Sequence, residues 1–265
     1  MQQFPRKAYD NASFLHSPQA RSIRILCEYE ETRVRLNREG IRDTIVFFGS
    51  ARLVPKAEAA RRRDEAEDAA AAQPEDSALA AVAIRAAKLE GMSRYYEEAR
   101  ELARRLTEWS TIRGGDRRLF VCSGGGPGIM EAANRGAHDA GGRNVGLGIS
   151  LPFEQGVNEW VTPELAFEFH YFFTRKFWFL NLCRALIIFP GGFGTLDEFF
   201  ETLTLVQTGK IKRTLPIVLY GTDYWSKVLH LDAMAEFGTI APLDLSLIHH
   251  SDSVEDAWQF LTSRL

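Results

Sequence analysis

The residues best placed to do chemistry begin at Pro190-Gly191-Gly192-Phe193-Gly194-Thr195, between an apolar run and a helix-like segment. Glycines let a ligand approach the backbone, and a helix starting here aims free N–H groups at an anion. Glu198 follows Thr195 by three residues, the spacing of a capping box with Thr195 as N-cap. A purely local role for Glu198 therefore stays open. The same position sets a carboxylate beside an anion nest, where it would be repelled by a phosphate but could act on a sugar. Glu201 lies at i+3 from Glu198 and projects from the same side, while Asp197 points elsewhere. Two carboxylates near a ribose suit cleavage of an N-glycosidic bond. One stabilises an oxocarbenium-like sugar or activates water, and the other orders it. A solvent-facing helix edge accommodates the same pair.

A second glycine cluster, Ser123-Gly124-Gly125-Gly126-Pro127-Gly128, follows the strand-like run LFVC. Pro127 suits the first position of a helix, and open N–H groups there suit phosphate or ribose oxygens. A tight strand–helix turn explains these residues equally well. Arg175 and Lys176 interrupt an aromatic segment, with Tyr171, Phe172 and Phe173 before them and Phe177, Trp178 and Phe179 after. Either cation can snorkel to the surface, or Arg175 can reach a ligand while the aromatics pack or stack on a base. Adjacent helical residues point about 100° apart, so the two do not face one anion. His170 reads as structural, and His249 and His250 lack a partner for a metal. Neither glycine cluster fits GxGxxG or the GK[ST] ending of a P-loop, and no GxSxG elbow occurs. Hydride transfer, ATP hydrolysis and serine hydrolysis are poorly supported.

The elements that must position these residues alternate. Residues 1–19 read as an arm and Arg21 to Glu39 as an amphipathic helix ending near Gly40. Thr44 to Ser50 is a strand whose unbroken apolar run suits burial on both faces. Residues 52–76 are charged and alanine-rich, a solvated helix or an insertion without chemistry. One long helix is expected from Ser77 to Trp109, with Gly91 as a possible break. Strands then fall at LFVCSG, NVGLGI, Leu165 to Phe169, Ala185 to Pro190, PIVLY and LSLIHH. Helices intervene from Pro127 to Ala140, over YFFTRKFWFLNLC, from Thr195 to Thr208 and from Tyr224 to Phe237, and SVEDAWQFL closes the chain. This predicts an α/β, Rossmann-like, doubly wound, mainly parallel sheet with an extra N-terminal helical region. The expected organisation is an arm and helix over 1–40 packing on one catalytic domain over 41–265, with an insertion at 52–76.

Composition sets outer limits. The chain has 265 residues, 45% of them hydrophobic, and a net charge of −3 at pH 7. That balance argues against gripping a nucleic-acid backbone, although residues 1–63 carry 13 Lys/Arg against 7 Asp/Glu. Cys27, Cys122 and Cys183 form no CxxC and no disulfide framework, so they read as reduced thiols of a cytoplasmic protein. No cluster has metal-ligand spacing. The N-terminus lacks an apolar signal region, and no run approaches the ~20 residues that span a bilayer.

Pro190 to Glu198, PGGFGTLDE, resembles the PGGxGTxxE signature of the LOG ("lonely guy") family, cytokinin riboside 5′-monophosphate phosphoribohydrolases often labelled lysine decarboxylases. Arg175-Lys176 matches the family's Arg-Lys pair, Gly124 to Gly126 its other glycine loop, and Phe48 to Ala51 its first strand–loop. The likeness runs over roughly 44–265, apart from the insertion. It implies hydrolysis of a nucleoside 5′-monophosphate, AMP or a cytokinin ribotide, to free base and ribose 5-phosphate. Glu198 and Arg175 match the catalytic pair; Gly191, Gly192, Gly194 and Thr195 match the phosphate-holding segment. Ser50, Gly124, Gly125, Gly126, Gly128 and Lys176 fall at further substrate-binding positions, and Glu201 is placed to hold the ribose hydroxyls. The resemblance implies no cofactor and a homodimer or larger assembly, while the residues themselves point to no metal and to no nucleic-acid or membrane partner. Pro127-Gly128 replaces a longer loop of the compact members, and the N-terminal helix and 52–95 are additional, as in a longer bacterial branch. These departures bear on base specificity more than on the phosphate site. A non-catalytic nucleotide carrier using the same loops is the competing reading.

Overall fold

A computed structural model describes residues 5–115, 118–152 and 156–265. Its strands are β1 (Thr44–Phe48), β2 (Phe120–Ser123), β3 (Asn144–Ile149), β4 (Ala166–Phe169), β5 (Cys183–Ile188), β6 (Ile217–Tyr220) and β7 (Ile248–Ser251). They form one sheet in the order β4-β3-β2-β1-β5-β6-β7, and every pairing is parallel. The helices are α1 (Ala12–Leu15), α2 (Arg21–Arg38), α3 (Lys56–Ala72), α4 (Ser77–Gly91), α5 (Arg94–Arg113), α6 (Ile129–Asp139), α7 (Phe172–Leu182), α8 (Phe193–Gln207), α9 (Thr222–Val228), α10 (Leu231–Glu236) and α11 (Val254–Thr262). This is the doubly wound arrangement that alternating strands and helices predict. Among the described residues no helix is long and apolar enough to cross a membrane.

Two apolar layers sandwich the sheet. Ile45 and Phe47 of β1 face α5, α6 and α11, while Val46 and Phe48 face the layer holding α7 and α8. An irregularity where Thr44 pairs with Cys183 and Ile45 with Ala185 skips Arg184. Cys183 therefore shares a face with Leu186 and Ile188 instead of Ala185, and Arg184 turns out to pair with Asp43 at 2.5 Å. The slip explains how an arginine interrupts an otherwise buried central strand.

The N-terminal helix does more than cover the sheet. The Glu28 carboxylate of α2 accepts from His170 N at 2.8 Å, Tyr171 N at 3.4 Å and the Thr174 hydroxyl at 2.6 Å. It thus satisfies orphan donors at the start of α7, which has no side-chain cap of its own. The Tyr29 ring lies 5.4 Å from both Phe177 and Trp178. Anchored at both places, α7 is the element that carries Arg175.

Several boundaries differ from expectation. The long helix ends at Gly91 and restarts at Arg94, so the Gly91 break is a full interruption between α4 and α5. The segment from Tyr224 to Phe237 is two short helices, α9 and α10, and the first half of LSLIHH is a 3-10 turn over Pro242–Leu247. Most of 52–76 is ordered as α3. Its arginines are neutralised locally, Arg62 by Glu58 at 2.6 Å and Arg63 by Glu90 of α4 at 2.6 Å, which makes 56–91 a helical hairpin.

Gly136 sits where α6 meets α5, and a Cβ there would lie 2.0 Å from the Arg100 carbonyl oxygen. In an exposed helix Gly→Ala gains about 1 kcal/mol. Here Gly136→Ala should instead destabilise by about 1–3 kcal/mol, read as a lower denaturant midpoint. An unchanged or raised midpoint would mean that the two helices can separate without cost.

Candidate functional site

A cleft of about 1040 Å³ opens at the carboxyl ends of β1, β2 and β5. The chain winds outward from β1 to β4 and then returns to β5, so strand order reverses here, the usual ligand position in such sheets. One wall carries Arg175 of α7, the 190–194 loop, and Thr195, Asp197 and Glu198 of α8. Leu53, Leu89, Met92 and Glu131 also line the cleft, and belong to segments packed on the other face of the sheet from α7 and α8. Ser50, Gly124 and Gly126 also border the cleft.

The loops meet so closely that side chains are excluded. Gly128 has φ +74, and a Cβ on it would lie 2.2 Å from the Ser50 carbonyl oxygen. That carbonyl accepts from Ile129 N at 3.0 Å, so α6 starts at Ile129, with Gly128 rather than Pro127 leading into it. At the other loop a Cβ on Gly191 would lie 2.1 Å from Thr195 Oγ1. The Tyr224 hydroxyl, itself at the cleft, donates to Gly191 O at 2.8 Å and fixes the loop. Helix α8 starts at Phe193 after Gly192, because the Gly192 carbonyl accepts from both Thr195 N and Leu196 N at 3.0 Å. Thr195 is consequently inside the first turn, and the Thr195–Glu198 capping box does not form.

Glu198 has another situation altogether. It is 5% exposed, and its Oε2 has no hydrogen-bond partner among the described residues. Burial pushes its carboxyl up to about 7; Lys176 and Arg175 oppose that rise, while Glu201 and Asp197 reinforce it. Arg175 is also largely buried, which pulls its pKa down. Its Nε donates to Leu147 O at 2.7 Å, its Cζ lies 5.1 Å from the centre of the Phe179 ring, and Nη2 lies against Gly124. Among the described residues no carboxylate is within ion-pair distance of it.

Lys176 and Glu201 lie outside the cleft wall. Lys176 Nζ is 2.8 Å from Asp197 Oδ1 and 2.9 Å from Glu201 Oε2, so it draws both acids to itself. Asp197, expected to point away, joins this cluster and borders the cleft. Gly125 and Gly128 shape the loop from behind the wall.

Sequence reasoning missed the polar network that holds the first glycine loop. Asn158 donates through N at 2.6 Å and through Nδ2 at 2.9 Å to Gly125 O, and reaches Gly126 O at 3.1 Å. Asn134 Oδ1 accepts from Asn158 Nδ2 at 3.0 Å and from Ser123 Oγ at 2.7 Å; its Nδ2 donates to Asn144 Oδ1 at 2.9 Å. The available signal was Asn134 itself, a polar residue on the alanine-lined face Ala132, Ala133, Ala137 of α6. Leu89 and Met92, from the segment expected as one long helix from Ser77 to Trp109, were missed as cleft residues too.

The family model described as "Possible lysine decarboxylase" matches residues 130–261, a stretch that includes Arg175 and the whole 190–198 segment. The cytokinin riboside 5′-monophosphate phosphoribohydrolase LOG2 of Arabidopsis thaliana is 31% identical over 172 residues, covering 63% of this chain and 75% of that protein. The chain belongs to the LOG family. Its likeness to the probable phosphoribohydrolase LOG6 of A. thaliana is 28% over 46% of this chain, and there it spans 61% of the relative's length. Among solved structures, the Moco carrier protein of Chlamydomonas reinhardtii aligns with 22% identity over 65% of this chain and 90% of its own, at a TM-score of 0.41.

The buried carboxylate of this LOG-family protein has a stability signature. An acid whose pKa is raised on folding contributes stability below its unfolded pKa of about 4.5 and loses it as pH rises through about 7. The loss is at most about 3 kcal/mol. Glu198→Gln should therefore gain on the wild type progressively between pH 4.5 and 7. Denaturant midpoints at pH 4.5 and pH 8 measure this, and a pH-independent difference would mean Glu198 is solvated.

Proposed function

We propose that the cleft hydrolyses the N-glycosidic bond of a nucleoside 5′-monophosphate, AMP or a cytokinin ribotide, to free base and ribose 5-phosphate. The observation that carries this reading is Glu198, a buried carboxylate with an unpartnered oxygen, in the same cleft as Arg175, which forms no direct ion pair among the described residues. The relatives' phosphoribohydrolase names agree with it.

The phosphate would rest on the 190–194 loop and the open N–H groups of the first turn of α8, where the helix dipole favours an anion. The C1′–N bond breaks with its electron pair leaving on the base, which takes up a proton from solvent, balanced when Glu198 later releases to solvent the proton it receives. Water adds to C1′ and gives its proton to the Glu198 carboxylate, whose charge also stabilises the cationic sugar. Arg175 offsets charge developing on the leaving base, at little reorganisation cost because Leu147 already fixes it. Lys176 and Glu201, tied to each other, serve as supports that keep charge balanced around Glu198 rather than as groups on the ribose. No cofactor enters the scheme. The exposed Phe173 and Phe177 of α7 suit contact with a second copy in a homodimer.

Incubation with AMP, GMP, CMP, UMP, IMP and N6-isopentenyladenosine monophosphate, followed by chromatography and mass spectrometry, tests the reading. Free base and ribose 5-phosphate should appear with the wild type and fall by about 10²–10⁴-fold in Glu198→Gln, which keeps nucleotide affinity. Nucleotide binding without product would favour the carrier. Because Glu198 acts ionised, kcat/KM should rise with pH to a plateau above about 7; a falling limb there would assign it as an acid instead. Arg175→Ala should lower kcat/KM by about 10²–10³-fold in a folded protein, and its unfolding would make the arginine structural.

A further inference from the structure

We infer that Glu131 reads the base and selects a purine carrying an exocyclic amino group, an inference that rests on the nucleotide reading above. Glu131 is the third residue of α6 and borders the same cleft as Arg175 and Glu198, from a helix on the other face of the sheet. Its Oε1 accepts from the hydroxyl of Tyr96 at 2.6 Å, and Tyr96 is fully buried in the core. The carboxylate is thus held at one oxygen by a rigid donor. Among the described residues no lysine or arginine lies within ion-pair distance of it. Arg135, one turn on, lies over the Trp160 ring at 4.9 Å and interacts with the Tyr96 hydroxyl rather than pairing directly with Glu131.

An ionised carboxylate only accepts hydrogen bonds. It repels a phosphate and pairs with an N–H edge, so the nucleotide's phosphate belongs at α8 and its base at α6. Leu53, Leu89 and Met92 line the same cleft and offer apolar surface to a planar ring. Leu89 belongs to the 56–91 hairpin and Met92 follows its last helical residue, which gives that hairpin a part in recognition. A cleft of about 1040 Å³ has room for a purine. The adenine amino group donates where Glu131 accepts; a ring lacking it leaves the carboxylate facing ring acceptors.

A first-turn acid can also serve α6 alone, through the helix dipole, and selectivity separates the two roles. Calorimetry on the full chain would measure affinity for AMP, for purine riboside 5′-monophosphate (the same nucleotide without the amino group) and for ribose 5-phosphate. The wild type should prefer AMP over its deamino analogue by about 10- to 100-fold. Glu131→Gln keeps an acceptor for Tyr96 and should reduce that preference to about threefold or less, with ribose 5-phosphate affinity retained. Tyr96→Phe should weaken the preference in the same direction. An absent preference in the wild type, an undiminished one in Glu131→Gln, or an equal loss for all three ligands overturns the inference. Preference in binding without any product overturns the glycosidase and upholds Glu131 as the base reader. Failure of all three ligands to bind overturns both.

Discussion

Keeping one carboxylate out of water is the constraint around which this site is organised. Glu198 is buried on α8 with an oxygen that no group among the described residues satisfies, an arrangement that opposes ionisation. Two cations face it, but neither forms a direct ion pair with it. Lys176 is held by Asp197 and Glu201, and Arg175 is held by a backbone carbonyl. A direct pair would hold Glu198 well below neutrality and occupy both of its oxygens. Separation leaves the carboxyl near 7 on a buried residue that borders the cleft.

That separation depends on elements remote in sequence. Arg175 stands where it does because Glu28 and Tyr29 of α2 fix the start and one face of α7. The loop beside its guanidinium is held by Asn158, Asn134 and Ser123. The two glycine loops are shaped as much by exclusion as by bonding, since Ser50 O and Thr195 Oγ1 occupy the space a Cβ would need at Gly128 and Gly191. A packed interior transmits such constraints because it has little free volume to absorb a misfit.

Much of this was legible in the residues. Apolar runs ending in glycine gave β1, β2 and β5 with small boundary errors, and their alternation with helices gave the parallel sheet. The 190–198 segment, Arg175 and the glycine loop were marked as one site by residue type and by family resemblance, and the cleft brings Ser50, Gly124, Arg175, Gly192 and Glu198 together. Local rules failed where a tertiary contact displaced them. Thr195 had the spacing of a cap, but Gly192 closed the first turn earlier. Gly91 looked like a tolerated break in one helix and became the end of a hairpin.

The sequence by itself determined the sheet and the chemical types at the ends of its strands, because burial periodicity and backbone freedom are properties of neighbouring residues. Only the tertiary structure decided which charged groups meet. Lys176 reaches Asp197 and Glu201 while Arg175 meets no acid directly among the described residues, and Glu131 of the cleft is held by Tyr96, 35 positions away. Charge pairing and burial depend on distances across the fold, and no spacing along the chain encodes them.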